Sequence, residues 1–216
     1  MNVKKLLLFA AILLLQFFGI KWIAAYPEAV ERYYSTGLFE YISVLFRYLF
    51  GWIPFSFGDV MYTAIIIYAI IALVKLIKNR FKTLSIFCTK ALLFVNVIYF
   101  AFHFLWGFNY YRLPLHKALN IENEYTTEEL ISLTQRLIKE ANALHETLQP
   151  TDSLPVGFQQ NLEEIFDKTP DGYAIVEDNF PELEYHPKSI KNSLYRYPLS
   201  YMGFGGYLNP ITLESQ

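Results

Sequence analysis

The sequence predicts a mainly α-helical protein with three transmembrane helices and a small, mostly helical domain outside the cytoplasm. Two observations carry this prediction. The 216 residues are 54% hydrophobic, and several apolar runs approach the roughly 20 residues that a helix needs to cross a bilayer. The charges also divide unevenly, because residues 1–108 contain ten Lys or Arg and four Asp or Glu, whereas residues 109–216 contain eight and sixteen. We therefore predict a membrane domain over residues 1–108 and an acidic extracytoplasmic domain over residues 109–216.

The first predicted span covers residues 6–26 and follows the basic pair Lys4 and Lys5. A signal peptide has the same order of basic start, apolar run and small residues. Here the apolar run continues past Lys21 to Trp22, an aromatic residue that suits the membrane interface. A retained anchor is therefore favoured over a cleaved signal peptide, and both interpretations place the following residues outside the cytoplasm.

Residues 27–58 form an aromatic loop between the first two spans. Apolar side chains recur at steps of three and four residues between Leu38 and Trp52. This spacing is typical of an amphipathic helix that lies in the membrane interface, here over about residues 38–53. A loop packed on the helix ends is an equally good interpretation.

The second and third spans are predicted over residues 60–77 and 91–108, and the third is a run of 18 residues without an acid or a base. Five basic residues, and no acidic one, lie at the end of the second span and between the two spans: Lys75, Lys78, Arg80, Lys82 and Lys90. Basic loops remain in the cytoplasm. The predicted location is therefore the cytoplasmic (inner) membrane, with a multi-pass chain, a cytoplasmic amino terminus and a periplasmic carboxyl-terminal domain.

Polar side chains inside the third span predict contacts between helices. Asn96 and His103 lie there, and polar groups in a membrane usually face a neighbouring helix. We expect each of them to form a helix–helix hydrogen bond.

The acidic domain begins with a strong helix signal. Thr126 and Glu129 have the spacing of a capping box, and apolar residues then recur at helical spacing up to Leu148. Thr169-Pro170 predicts the start of a second helix over about residues 170–179, after a short helical turn at 162–166. The rest of the chain is predicted to be extended, with a Gly-rich end.

Composition and motifs exclude several kinds of site. The acidic domain has no basic face for nucleic acid, and Cys88 is the only cysteine. His145-Glu146 begins like the zinc motif H-E-x-x-H, but position 149 is Gln. We therefore predict no catalytic residue, no metal ligand and no cofactor in this chain. The predicted partner is the lipid bilayer, and nucleic acid is not a partner.

The end of the chain is unusual. Three glycines occur within four residues, at Gly203, Gly205 and Gly206, and the chain stops soon afterwards at Gln216. Glycines at this density allow positive φ and close approach of another backbone. Because a finished domain seldom ends in this way, we expect a fragment or a truncated product.

Several segments together resemble the amino-terminal part of the bacterial membrane family called domain of unknown function 3810. The matching segments occur in the family's order and cover nearly the whole chain: PEAVERYYSTGLF, IPFSFGDV, WGFNYYRLPL, Pro187-Lys188 followed by Ser193, and GFGGYLNPITLESQ. WGFNYYR and GFGGYLNP are the more specific of these.

The resemblance implies a zinc metallopeptidase in longer family members, with an H-E-x-x-H helix beyond the equivalent of Gln216. Zinc is therefore expected only with a carboxyl-terminal extension. It also implies that the last segment pairs with a substrate backbone, so the candidate substrate-binding residues are Gly203, Gly205, Gly206, Tyr207, Asn209 and Pro210. The implied partner is a peptide or an envelope protein. The alternative is a non-catalytic envelope protein that acts as a binding or structural module.

Overall fold

The computed structural model describes residues 3–118, 122, 124–149, 151, 153–157, 160–177 and 189–216. These residues are mainly helical, and none of them belongs to a β-strand. They divide into two compact units. One contains the described residues up to Leu113 together with residues 189–216, and the other contains those between Pro114 and Glu177.

Three helices are long and apolar enough to cross a membrane, which confirms the three predicted spans. They are α1 (Val3–Ala24), α4 (Phe57–Lys78) and α5 (Leu84–Leu105), each of 22 residues. At 1.5 Å per residue each is about 33 Å long, close to the hydrocarbon thickness of a bilayer. Helix α5 begins seven residues before the predicted span, because the charge of Lys90 limits an apolar run but does not end a helix.

Helices α1 and α5 pack together through polar side chains inside their apolar surfaces. The Asn96 amide nitrogen donates to the Phe9 carbonyl at 3.1 Å, and the Gln16 amide donates to the Asn96 oxygen at 3.2 Å. The predicted helix–helix bond of Asn96 is thus confirmed. His103 differs, because its Nδ1 lies 2.9 Å from the Tyr99 carbonyl of its own helix.

The loop between α1 and α4 is helical over most of its length. It contains α2 (Pro27–Ala29), a π-helical segment (Val30–Leu38) and α3 (Phe39–Gly51). The π-helical segment packs on the end of α5, since the Tyr34 hydroxyl donates to the Phe104 carbonyl at 2.8 Å. Helix α3 instead exposes large apolar side chains, as expected for an interfacial helix. Packing on a helix end is therefore observed for the π-helical segment, and the interfacial position of α3 stays a prediction.

The second unit contains α6 (Leu115–Ala118), α7 (Thr127–Leu148) and α8 (Leu162–Glu177). The predicted capping box is confirmed, because the Thr126 hydroxyl accepts the Glu129 amide and the Glu129 carboxylate accepts the Thr126 amide. The prediction for α8 was wrong in one respect. A single helix runs through Pro170 where a turn and a separate helix were expected.

The carboxyl-terminal segment, residues 189–216, packs with the membrane helices. It begins with an isolated parallel bridge between Ile190 and Ser215 and contains α9 (Arg196–Tyr201) where extended chain was predicted. Beyond the helix the chain is extended and turns back on itself, so that Leu208 and Ser215 form an antiparallel bridge. The predicted division at residue 108 stays a prediction, but these contacts group the carboxyl-terminal segment with the helices.

Candidate functional site

The amino end of α4 is completed by a carboxylate from the far end of the chain. Ser56 precedes the helix, and its hydroxyl accepts the Asp59 amide at 3.1 Å. Two further amides of the first turn, those of Phe57 and Gly58, donate to the Glu214 carboxylate at 3.1 and 2.7 Å. These amides have no partner within the helix, and the helix dipole favours an anion here. Glu214 is fully buried.

Lys191 caps the carboxyl end of a helix, α3, in the way that Glu214 caps the amino end of α4. Its ammonium group donates to the carbonyls of Phe50 and Gly51, the last two residues of α3, and of Ile53 just beyond the helix. A cation is favoured at a helix carboxyl end for the same reason that an anion is favoured at the amino end. The Lys191 nitrogen also lies 4.0 Å from a Glu214 oxygen. Burial lowers the pKa of Lys191, and the charge of Glu214 opposes that change.

A second buried carboxylate, Asp59, holds the part of the segment that leads into α9. It accepts the Ser193 hydroxyl at 2.9 Å and the Leu194 amide at 2.8 Å. The Tyr207 hydroxyl donates to its other oxygen. Burial and this hydrogen bond to Asp59 raise the pKa of Tyr207. We call Asp59, Lys191 and Glu214, with their hydrogen-bond partners, the buried charge cluster.

The last ten residues are folded into a tight turn by backbone hydrogen bonds. Tyr207 and Gln216 exchange two of them, both at 2.8 Å, and the Asn209 amide donates to the Glu214 carbonyl at 2.9 Å. Leu213 adopts a positive φ of 55°, which is uncommon for a residue other than Gly. The turn presents the Glu214 carboxylate to the helix.

Gly58 allows the turn to approach α4 closely. A Cβ at this position would lie 2.1 Å from the Asn209 amide nitrogen and 2.8 Å from the Thr212 hydroxyl. Only a residue without a side chain fits. The Asn209 oxygen meanwhile accepts the amides of Ile211 and Thr212, which fixes the bend of the turn.

The candidate substrate-binding residues occupy three different surroundings. Gly203, with φ of 85°, and Gly205 lie in open space. Gly206, Tyr207 and Asn209 belong to the turn, where a Cβ on Gly206 would lie 2.8 Å from the Gln216 carbonyl. Pro210 lies with Ile211 at one side of an apolar groove of about 320 Å³ between α4 and α5. Substrate binding by these residues stays a prediction.

Sequence reasoning missed the three charges of the cluster. Ser56 followed three residues later by Asp59 is a helix-start signal that marks the position. Nothing local identifies Glu214 or Lys191 as their partners, because the contacts span about 140 to 160 residues of chain. Of the matching segment at 187–193, Pro187 and Lys188 lie outside the described residues.

A second contact ties the π-helical segment to the chain that follows α5. Glu31 accepts from the Arg112 guanidinium through both of its oxygens, one of them at 2.9 Å from Nε, and it also accepts the Leu113 amide at 3.2 Å. The hydrogen bond to Arg112 lowers the pKa of Glu31. Like the buried charge cluster, the contact between Glu31 and Arg112 joins two segments that are adjacent in space and distant in sequence.

The residues that the structure describes do not fit a zinc ion. No three His, Cys, Asp or Glu side chains among them come together in a way that could hold a metal. Two histidines bond to backbone carbonyls, His103 to Tyr99 and His145 to Leu154. Zinc requires three or four such ligands. The arrangement of the buried charge cluster serves to fix one segment of chain on another.

No curated protein and no solved structure matches this chain. One protein family does, over residues 34–216, and it is described as "Protein of unknown function (DUF3810)". The matched range includes α4, α5, the second unit, which we call the acidic unit, and the carboxyl-terminal segment with its buried charge cluster. Because the match covers most of the sequence, the chain belongs to the DUF3810 family.

Proposed function

We propose that this chain is the membrane anchor and scaffold of an extracytoplasmic zinc-dependent peptidase, and that it supplies neither the metal ligands nor the catalytic residues. One observation carries the proposal: a fully buried ion pair fixes the carboxyl-terminal segment to the ends of α3 and α4. A segment held in this way keeps a constant height above the bilayer. The zinc ligands would follow Gln216 in a longer polypeptide.

Charge asymmetry supports the orientation in this proposal. The charged residues of the turn between α4 and α5 and of the amino end of α1 are all basic, which favours the cytoplasm. The carboxyl-terminal segment contacts the other end of α4, near Gly58. This arrangement supports the proposal that the carboxyl-terminal segment lies on the outer face of the cytoplasmic membrane.

The proposed substrate contact is the free edge of the glycine-rich stretch. Tyr207 pairs with Gln216 along one edge of this stretch, and Gly203 and Gly205 have open space around them. A peptide could add to such an edge through main-chain hydrogen bonds. Phe204, about half exposed, would lie beside the added peptide.

The first experiment measures zinc by elemental analysis on the purified 216-residue chain and on the longest in-frame extension. We expect about one zinc per chain in the extended form alone, as for a typical structural or catalytic site. Zinc in the 216-residue chain would overturn the scaffold role. Zinc in neither form would overturn the peptidase.

A second experiment tests the substrate edge in the zinc-bearing form. Replacing both Gly205 and Gly206 by Val is expected to raise KM for a peptide substrate. Gly157→Val is the control for Gly205, because both glycines have open space around them and Gly157 lies in the other unit. The single variant Gly205→Val should also raise KM, which separates the edge from the turn, since a Cβ at Gly206 would lie 2.8 Å from the Gln216 carbonyl. Unchanged peptide turnover in the double variant would rule out the edge as the contact.

One observation favours the alternative function, a non-catalytic binding module of the envelope. Helix α7 exposes a row of large apolar side chains on an acidic unit: Leu130, Leu133, Leu137, Leu144 and Leu148. Exposed apolar surface of this kind often marks a contact with another protein. This function gains support if neither form of the chain binds zinc.

A further inference from the structure

The end of the spanning helices away from the buried charge cluster carries seven exposed cations, which we call the basic end. They are Lys4, Lys5, Lys75, Lys78, Arg80, Lys82 and Lys90. They share one end because α1 and α5 run side by side in the same direction. Phe9 contacts Asn96, and further along the two helices Trp22 and Phe108 line one groove.

The basic end contains no acidic residue that could balance it. Neither residues 3–27 nor residues 60–118 include an Asp or Glu. Among the described residues, none of the seven cations forms an ion pair with a carboxylate. Like charges gathered on one surface repel one another and create a positive potential that attracts anions.

The turn between α4 and α5 holds these cations close to the membrane. Only five residues, 79–83, connect the two helices. The turn is tied to α4 by hydrogen bonds from the amides of Arg80 and Phe81 to the carbonyls of Ile77 and Leu76, at 2.9 and 3.0 Å. Six of the seven cations therefore stand within about one helical turn of the helix ends, and Lys90 lies six residues into α5. If the apolar helices span a bilayer, these helix ends reach the level of the lipid headgroups.

The tip of the turn has a second unusual feature. Arg80 and Phe81 have φ values of 48° and 61°, a left-handed conformation that residues other than Gly adopt uncommonly. Phe81 is 54% exposed and stands between Arg80 and Lys82 in the sequence. An aromatic ring flanked by cations is poorly suited to water and well suited to the boundary between headgroups and acyl chains.

We propose that the basic end binds anionic phospholipids, whose headgroup phosphates supply the negative charge that the protein lacks there. Phe81 enters the boundary between headgroups and acyl chains, and the surrounding cations contact the phosphates. This inference does not depend on the proposed peptidase scaffold, because it concerns the opposite end of the helices.

The test uses the purified 216-residue chain in detergent, titrated with dioleoyl phosphatidylglycerol or dioleoyl phosphatidylcholine and read by native mass spectrometry. We expect tighter binding of phosphatidylglycerol. The triple variant Lys78→Gln, Arg80→Gln, Lys82→Gln should weaken that binding by about a hundredfold, since each cation near a lipid surface contributes about fivefold. Binding of phosphatidylcholine should change little.

Two matched variants control the result. Lys117→Gln, Arg136→Gln, Lys139→Gln removes the same charge from the other unit and should leave phosphatidylglycerol binding unchanged. Lys78→Arg, Arg80→Lys, Lys82→Arg keeps the charge and should keep the binding. If the neutral triple variant does not fold, the single variant Arg80→Gln replaces it, with an expected loss of about fivefold.

Three results would overturn the proposal. Equal affinity for the two lipids would remove the role of charge, and an unaffected neutral variant would remove the role of these cations. Inorganic phosphate alone is the third probe. If millimolar phosphate displaces the lipid completely, the surface is a site for free phosphate and the lipid is not its ligand.

Discussion

Glu214 and Lys191 are buried charges that each complete a helix end. A buried ion pair does not guarantee stability, because removing two charges from water costs several kcal/mol. Here each charged group exchanges its hydrogen bonds to water for hydrogen bonds to the backbone. Glu214 accepts from two amides, and Lys191 donates to three carbonyls. Stability therefore depends on both partners being present.

We expect Glu214→Ala to lower the free energy of unfolding by about 3–5 kcal/mol, because it leaves Lys191 buried without its counter-charge. Chemical unfolding in detergent micelles measures the change. Glu140→Ala is the control, since Glu140 is exposed and pairs with Arg136 on the surface of α7. Equal effects of the two substitutions would contradict the assigned role of Glu214.

Gly58 provides a second test at the same place. Gly58→Ala should cost about 1–3 kcal/mol, the usual cost of overpacking, because the added methyl group overlaps Asn209. We expect faster hydrogen exchange at the amides of Leu213 and Gln216, which close the turn. Gly19→Ala is the control, because nothing lies within 4 Å of its Cβ position. Unchanged exchange in Gly58→Ala would show that the turn does not need this close contact.

Glu31 gives the protein a stability that depends on pH. Its pKa is lowered in the folded state, so its contribution is fully present above the ordinary value of 4.5 and is lost as the pH falls through the lowered value. Glu31→Gln should cost at most about 1 kcal/mol at pH 7, since the partially exposed pair is screened by water. Thermal unfolding between pH 3 and 7 should show a shallower pH dependence for the variant. A parallel dependence in both proteins would contradict the pairing with Arg112.

At the scale of elements, the long apolar helices could be predicted from the sequence, whereas the helix that contains a proline, α8, could not. A transmembrane helix is identified by length and composition alone, so α1, α4 and α5 follow from the sequence. Pro170 was taken as a helix start because proline lacks an amide hydrogen. In α8 the helix passes through Pro170, which cannot donate a bond to the carbonyl four residues earlier.

Helix α9 and the buried charge cluster show two other limits of sequence reasoning. Extended chain was predicted here, but residues 196–201 form α9, and Pro198 lies in its first turn, where an amide is not needed. The charges of the cluster, in contrast, lack any periodic or local pattern. Their partners are set by packing between distant segments, which a single sequence does not display.

The packing of α1 on α5 can be tested through Asn96. We expect Asn96→Ala to destabilise the protein by about 1 kcal/mol, because hydrogen bonds to Phe9 and Gln16 are lost. Unfolding in mixed micelles measures this. Thr89→Ala is the control, since its hydroxyl bonds to the Ser85 carbonyl of its own helix. If both substitutions have the same effect, the bonds between the helices contribute nothing specific.

For the whole molecule, the proposed orientation makes a prediction about accessibility. In a Cys88→Ser background, single cysteines at Thr36 and Ser200 should react with an impermeant maleimide in intact cells, because both residues are exposed and the proposed orientation puts them on the outer side. A cysteine at Asn79, in the turn between α4 and α5, should react only after permeabilisation. Labelling of Asn79 and Ser200 under the same conditions would contradict this topology.

The contact between Gly58 and Glu214 joins residues 156 positions apart, and this distance affects how the protein is made. While the ribosome is still translating the acidic unit, α4 is already synthesised but its first amides have no anion to bind. The first amides of α4 therefore lack the Glu214 carboxylate until residue 214 has been synthesised. A chain that stalls before residue 214 is therefore left without the carboxylate that caps α4.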